Sequence, residues 1–347
     1  MIRVGIIGCG KIAEFRHAPE YKENSDAEIV AFFDVNKKEA QRMADEYGAR
    51  ACDTLDELLS LDIDAVSVCV ANKYHAEISI KALEAGKHVL CEKPMAVSAE
   101  ECIAMLEAEK KSGKMLMIGH NQRMTQAHQK ARELYLDGEI GRLLTFHMTF
   151  GHPGPEKWTG SNNSWFFDKN IASFGSMADL GVHKTDLIQF LTGEKITETF
   201  TLLATLDKRY PDGTPIQVDD NAIAIYKLSN GAIGTLHVSW TFYGAEVNST
   251  ILYGTEGRMR IYDDPEYALI VEKPGHEPVM YVLDKMISNE EQSAGNRTNT
   301  GVIDAFIKSI REGRKYLASG EEGASAMSVI FANERSSMSK RLETVCL

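Results

Sequence analysis

Short apolar runs alternate with amphipathic stretches along the first third of the chain. "IRVGIIG" leads into a helical pattern ending near Lys22, "AEIVAFFD" into "KKEAQRMADEYG", "DAVSVCVA" into "HAEISIKALEAG", and "HVLCE" into "SAEECIAMLEAEKKSG", before "MLMIGH" closes the series. The runs are apolar almost throughout, as strands buried on both faces must be. The pattern therefore predicts a doubly wound parallel sheet with helices on both sides. Ser98 and Glu101 have the spacing of a capping box at the start of the last of these helices.

Beyond about residue 122 the texture changes. A helical stretch, "QAHQKARELYLDG", precedes the strand "LLTFHMTF", a loop rich in Gly, Pro, Trp and Asn, and a helix predicted from Gly175 to Leu191. Long strands follow, with Phe200, Leu202, Ala204 and Leu206 on one face, then Ile223 and Ile225, then Ile233 to Trp240. Turns such as "SNGA" and "GTEG" join them, so this half reads as α+β with a large, mostly antiparallel open sheet, one face of it exposed or covered by a partner. Helices near 299–312 and 321–340 end the chain. Two domains are expected, 1–121 and 122–347, and the length of 347 residues suits two cores better than one.

The formal net charge of −12 argues against nucleic acid as a partner and for a small molecule. No apolar run approaches the roughly 20 residues that cross a bilayer, and "MIRVGIIGCGKIA" puts a glycine-rich turn where a secretory signal would carry its apolar stretch. A cytoplasmic protein without a membrane partner is expected. The six cysteines are scattered without a C-x-x-C pair, which reads as buried, reduced thiols. The ten histidines are dispersed too, so no metal is expected.

"VGIIGCGKIA" places Gly8, Gly10 and Ala13 in the G-x-G-x-x-A form between a strand and a helix, with Lys11 and Ile12 inside the motif. Gly8 permits a tight turn, Gly10 lets backbone approach a pyrophosphate, and Ala13 keeps helix and strand close, while the helix N-terminus faces the anion. Asp34 ends the second strand, where a carboxylate accepts hydrogen bonds from adenosine ribose hydroxyls and repels a 2′-phosphate. NAD is the expected cofactor. Lys37 and Lys38 just downstream keep NADP open.

With "VANKYHAEISIKALEAGKHVLCEKPMA" added, the chain resembles the glucose–fructose oxidoreductase, inositol dehydrogenase and MocA family along its whole length. The resemblance implies an N-terminal Rossmann domain, a C-terminal domain with a large, mostly antiparallel sheet, and a homodimer or homotetramer joined through that sheet. The family's E-K-P motif falls on Glu92, Lys93 and Pro94. Its lysine reaches nicotinamide ribose and substrate, and the Lys–Pro bond is commonly cis. Ala71, Asn72 and His75 match the loop near the cofactor, although Val70-Ala71 stands where Thr-Pro is usual, a change that alters loop stiffness more than chemistry. Asn121 matches the segment entering the second domain beside the nicotinamide. Arg123 matches it as well, either as a substrate contact or as a structural ion pair.

Asp179 and His183 lie four apart in "SFGSMADLGVHKTDLIQFL" and so share a helix face. Spacing alone is a modest signal, but the family's D-x-x-x-H pattern falls on these two residues. Asp186, three further on, is read as structural. Relatives often carry several glycines before this helix; Ser173 and Phe174 stand there instead and reshape the pocket entrance. Trp158, Trp165 and Phe166 in the preceding loop would stack on a sugar face or simply pack, and Lys157 is a weaker candidate.

Oxidising a secondary alcohol requires a base within hydrogen-bond reach of the hydroxyl. His183, with an ordinary pKa of about 6.5, suits that exchange near neutral pH. Lys93 would hold the same oxygen and stabilise its developing charge, with Asp179 fixing a neighbouring hydroxyl or the imidazole. Burial would also fit Lys93 to act as the base itself, and the sequence assigns the proton to neither residue. The expected activity is an NAD(P)-dependent dehydrogenase or reductase acting on a sugar, cyclitol or related polyol. Two alternatives share the fold: a glycosidase that oxidises its substrate transiently with NAD, and a non-enzymatic regulator that senses the dinucleotide.

Overall fold

The computed structural model describes residues 1–161, 164–283, 285 and 299–347, with the side chain of Trp158 outside that description. The chain divides into two compact units, one of Met1–Asn121 with Glu291–Ala324, the other of Gln122–Glu290 with Ser325–Leu347.

The first unit is built on strands β1 (Ile2–Ile7), β2 (Ala27–Phe33), β3 (Arg50–Ala51), β4 (Ala65–Val68), β5 (His88–Cys91), β6 (Leu116–Ile118) and β15 (Ala318–Ser319). They lie in the order β15-β6-β5-β4-β1-β2-β3, and all pairs are parallel except β15 with β6. Val4, Ile6, Ile7, Val66, Val68, Val89 and Leu90 are fully buried, as continuous apolar strands between two helical layers require. Strand order reverses between β2–β1 and β1–β4, and the carboxyl ends of β1 and β4 flank that crevice. Ser98 caps the helix Ala99–Ser112 by accepting from the Glu101 amide at 3.2 Å. Glu101 returns to the amide of Val97 at 3.0 Å, one residue outside a standard capping box.

The expected second domain, 122–347, takes in a segment that the structure groups with the first unit. The helix Val302–Glu312 turns Ile303, Phe306 and Ile307 into the first unit's core, and Ala318–Ser319 fill the open edge of β6. Their amphipathicity was legible in the sequence, but the sheet that they join was not.

The second unit's sheet has nine strands among the described residues; with β11 (Val247–Gly254), β12 (Arg258–Ile261), β13 (Leu269–Glu272), β14 (Val279–Tyr281) and β16 (Glu343–Thr344), the order is β14-β13-β12-β11-β7-β10-β9-β8-β16. Strand β7 (Leu143–Gly151) pairs in parallel with β10 (Ile233–Ser239); every other pair is antiparallel. On β8 (Ile196–Ala204) and β9 (Asn221–Leu228) three large apolar side chains take the open face, with Leu202 49%, Ile223 53% and Ile225 49% exposed. Thr199, Thr201, Ala222 and Ala224 take the buried face instead. The inversion has a polar cause: Asn333, on the helix Gly320–Ser339, accepts from Thr199 at 2.8 Å and Thr201 at 2.9 Å and donates to Tyr226 at 2.8 Å. Thr199, Thr201 and Tyr226 meet that helix through Asn333; Ala222, Ala224 and Leu228 are buried on the same sheet, and Leu202, Ile223 and Ile225 are left outside.

The helix predicted from Gly175 to Leu191 is also built differently. Met177–Gly181 form a π turn that runs into the α-helix Val182–Thr192.

Candidate functional site

In the first unit, successive loops are stitched together at the carboxyl edge of the sheet. Gly8 N–H donates to Phe33, Cys69 N–H to Ile7, Glu92 N–H to Val68 and Gly119 N–H to Cys91, at 2.7–3.0 Å. The expected cofactor residues thereby share one edge. Gly8 has φ +92°, and a Cβ there would stand 2.4 Å from the Cys69 carbonyl oxygen, so the turn needs glycine. A Cβ on Gly10 would meet nothing within 4 Å, which leaves open space over the turn. Ala13 is fully buried, and Ile12 is half-buried.

Asp34, half-buried just past β2, accepts from the Cys9 amide at 2.7 Å and the Asn36 amide at 2.7 Å. Its carboxylate is thus tied directly to the glycine turn. Lys37 is spoken for by Asp53 at 2.6 Å, and Lys11 is exposed and paired with Glu14 at 3.2 Å. This set fits NAD: an open turn beside a rooted carboxylate, with the nearer downstream lysine engaged elsewhere.

Lys93 is half-buried, and its peptide bond to Pro94 is cis. Two residues expected at the cofactor, His75 and Glu92, have buried side chains. His75 is buried, with Nδ1 2.7 Å from the Pro94 oxygen and Nε2 2.9 Å from the Val70 oxygen, so its ring spans the two loops from beneath. Glu92 is buried and accepts from His17 Nε2 at 2.9 Å, with the Lys93 amide donating to its other oxygen at 3.2 Å. Burial alone would push the Glu92 carboxyl up. The His17 contact, with Arg16 and Lys93 adding positive charge, holds it down at about 2. Asn72 is buried in the same loop cluster. Asn121 turns its Oδ1 to the interior, where no described residue bonds it.

In the second unit, Asp219 sets the start of the catalytic-candidate helix. Its carboxylate accepts from the amides of Gly175 and Met177 and from the Ser176 hydroxyl, at 2.8–2.9 Å. Gly175 passes so close that a Cβ would lie 1.8 Å from the Asp219 carbonyl oxygen. The π turn so anchored presents Asp179, half-buried, to the indole of Trp240, whose Nε1 donates to Oδ2 at 3.1 Å. His183 is buried with its ring 5.9 Å from that of Phe150.

Arg123 makes the ion pair that one of its two readings expected. Nε and Nη2 form a bidentate pair with Asp186 at 2.7 and 2.6 Å, both side chains are buried, and the guanidinium lies over Phe190. The structural reading of Asp186 agrees with that pair. Trp165 stacks on Phe166 at 4.0 Å, and Phe166 meets Trp240 edge-on at 6.4 Å, an aromatic row that ends at the Asp179 contact. Trp158, the other candidate sugar platform, lies outside the described side chains, and Lys157 is exposed.

Sequence reading missed His17, Trp240 and Asp219. His17 carried a faint signal, four residues beyond Ala13 on the helix that the glycine motif opens. The other two carried none, because their partners are distant in the chain.

Comparison with known proteins bears on the same residues. Residues 2–120 match the GFO/IDH/MocA oxidoreductase family, described as an NAD-binding Rossmann fold, and residues 128–260 match the GFO/IDH/MocA C-terminal domain. A levoglucosan dehydrogenase of Pseudarthrobacter phenanthrenivorans is 33% identical over 217 residues, covering 56% of this chain and 54% of that protein. A myo-inositol 2-dehydrogenase of Thermotoga maritima is 26% identical over 98% of this chain and 97% of its own length. Among solved structures, a levoglucosan dehydrogenase in complex with NADH and levoglucosan superposes with a TM-score of 0.86 at 25% identity, over the whole of both chains. No helix among the described residues is long and apolar enough to cross a membrane.

Proposed function

Because this chain belongs to the GFO/IDH/MocA oxidoreductase family, we propose that it moves a hydride between NAD and a secondary hydroxyl or carbonyl carbon of a sugar, cyclitol or related polyol. The observation that carries the reading is the rooted Asp34 carboxylate beside the open Gly8–Gly10 turn, on the sheet edge that also bears Lys93. Relatives named as sugar and inositol dehydrogenases favour net oxidation or reduction over transient-oxidation glycosidase chemistry or regulation.

NAD, when bound, supplies the hydride acceptor or donor. Asp34 would accept from the ribose hydroxyls, and the backbone around Gly10 would meet the pyrophosphate. Lys93 would hold the reacting oxygen and stabilise negative charge on it, His183 would take up or return the hydroxyl proton, and Asp179 would fix a neighbouring hydroxyl. In the same reading the protein is cytoplasmic, consistent with six unpaired cysteines. It assembles as a homodimer or homotetramer through the open sheet face.

The test is a screen of sugars and polyols for NADH formation, beside binding of NAD and NADP. Lys93→Ala and His183→Ala should each lose turnover by at least about a hundredfold while NAD still binds. Near-normal turnover in both variants overturns the assignment. Asp34→Ala should weaken NAD about tenfold and NADP much less.

A further inference from the structure

Behind the Glu92–Lys93–Pro94 turn runs a buried polar line that the proposed reaction does not use. Tyr21 OH lies 2.8 Å from Ser67 Oγ, Ser67 Oγ lies 3.0 Å from His17 Nδ1, and His17 Nε2 lies 2.9 Å from Glu92 Oε1. Tyr21, Ser67, His17 and Glu92 are all buried. An ionised carboxylate only accepts, so Nε2 carries the proton toward Glu92. In the neutral ring Nδ1 accepts from Ser67, which accepts from Tyr21. In that tautomer every donor in the line points at one carboxylate. That carboxylate's other oxygen takes the Lys93 amide, so the line ends on the backbone of the lysine itself.

We propose that His17 is a positioning residue for this reaction: it keeps the Glu92 carboxylate charged and in place beside Lys93, and so fixes the turn and the charge that the Lys93 side chain meets. The inference rests on the dehydrogenase reading above and assigns a role to a residue outside its chemistry. The groups facing this carboxylate make the dependence on His17 specific. Arg16 and Lys93 add positive charge; burial pushes the thiol of half-buried Cys69 up and the imidazole of buried His75 down. Glu20 lines the same cavity of about 10 Å³, and its own carboxyl is pushed up by burial against the amides of Thr300 and Ile303 and the Thr300 hydroxyl. His17 Nε2 meets Glu92 Oε1 directly, at 2.9 Å. Without it, the largest of the effects that oppose burial is lost and the carboxyl takes up a proton at a higher pH.

The experiment follows the Glu92 carboxyl by NMR in the full chain labelled at the glutamate δ-carbon, the Glu92 signal being identified by its loss in Glu92→Gln. No substrate is needed. In the wild type the signal should not titrate above pH 5, consistent with a value of about 2. In His17→Leu its midpoint should rise by about two units or more, and His17→Gln, which keeps an N–H donor, should restore it. In the sugar reaction, His17→Leu should raise the acid limb of kcat/KM in step with that midpoint, with NADH affinity within about threefold of wild type. If leucine at 17 prevents folding, His17→Asn, too short to reach Glu92, takes its place. A Glu92 titration unchanged in His17→Leu or His17→Asn overturns the proposal, as does a pH-independent loss of activity that His17→Gln does not rescue. A protein that binds NADH and turns over no sugar or polyol fails the dehydrogenase reading and leaves the carbon titration intact as a measure of the His17–Glu92 coupling.

Discussion

Trp240 donates its indole N–H to the carboxylate of Asp179. The tryptophan is fully buried just past β10, whereas the aspartate is half-buried on a π turn, so a buried donor aims a partly exposed acid. Trp240→Phe keeps the ring and deletes the donor. A hydrogen bond to a charged group is worth about 1.5–3 kcal/mol, so kcat should fall about tenfold or more with NAD affinity unchanged. Steady-state kinetics beside NAD titration would check this, and an unchanged kcat would remove Asp179 orientation from the account.

Gly175 has no room for a side chain, and the obstacle is backbone. Gly175→Ala must push the Asp219 segment away and break its contacts with the amides of Gly175 and Met177. The expected cost is about 3 kcal/mol, read as a lower denaturation midpoint, with a loss of turnover exceeding the loss of folded protein. A stable, active Gly175→Ala protein would show that the anchor yields cheaply.

Lys184, next to His183, is fully buried with its ammonium 3.2 Å from the Ser249 oxygen and 3.1 Å from Thr250 Oγ1. Burial pushes it down from 10.5 to about 7, against the opposing charge of Glu246, and its charge in turn helps burial hold His128 down at about 3. A lysine depressed in the folded state binds its proton more tightly when unfolded. It therefore costs stability fully below about pH 7, and the cost fades as pH rises toward 10.5. Lys184→Met should gain stability relative to wild type near and below pH 7, with the difference shrinking toward pH 10, as chemical denaturation across that range would record. A difference that does not vary with pH would mean that Lys184 is charged throughout.

The open sheet face carries Leu202 opposite Ile223 and Phe200 opposite Ile225, in adjacent rungs of one antiparallel pair. An exposed apolar row of this kind is what a second copy would cover. The double change Ile223→Glu with Ile225→Lys should convert an oligomer to monomer by light scattering with little change in the denaturation midpoint of the separated chain. A monomeric wild type would refute assembly through this face.

The sequence was most legible where structure follows from local chemistry. The strands of the first unit announce themselves by being apolar on both faces, and Gly8, Gly10 and Asp34 by their spacing around a single βα turn. The π turn at Met177–Gly181 could not be read, because Asp219, more than 40 residues away, sets it. The outward face of Leu202 and Ile225 was equally hidden. Alternation shows that two faces differ, but Asn333 on a distant helix decides which face is covered. Glu92 was legible as part of a motif, but its partner His17, 75 positions earlier, was not.

The antiparallel strand Ala318–Ser319 also bears on how this unit could be handled as an engineering part. A fragment stopping at Asn121 would expose the backbone of Leu116–Ile118 along a free edge and leave the Glu20 carboxylate without the donors of Thr300 and Ile303. The nucleotide-binding half is thus no contiguous cassette. A chimera that transplants it onto another substrate domain has to import two pieces of chain, the second reaching at least from Thr300 to Ser319, or inherit a sticky sheet and an orphaned acid.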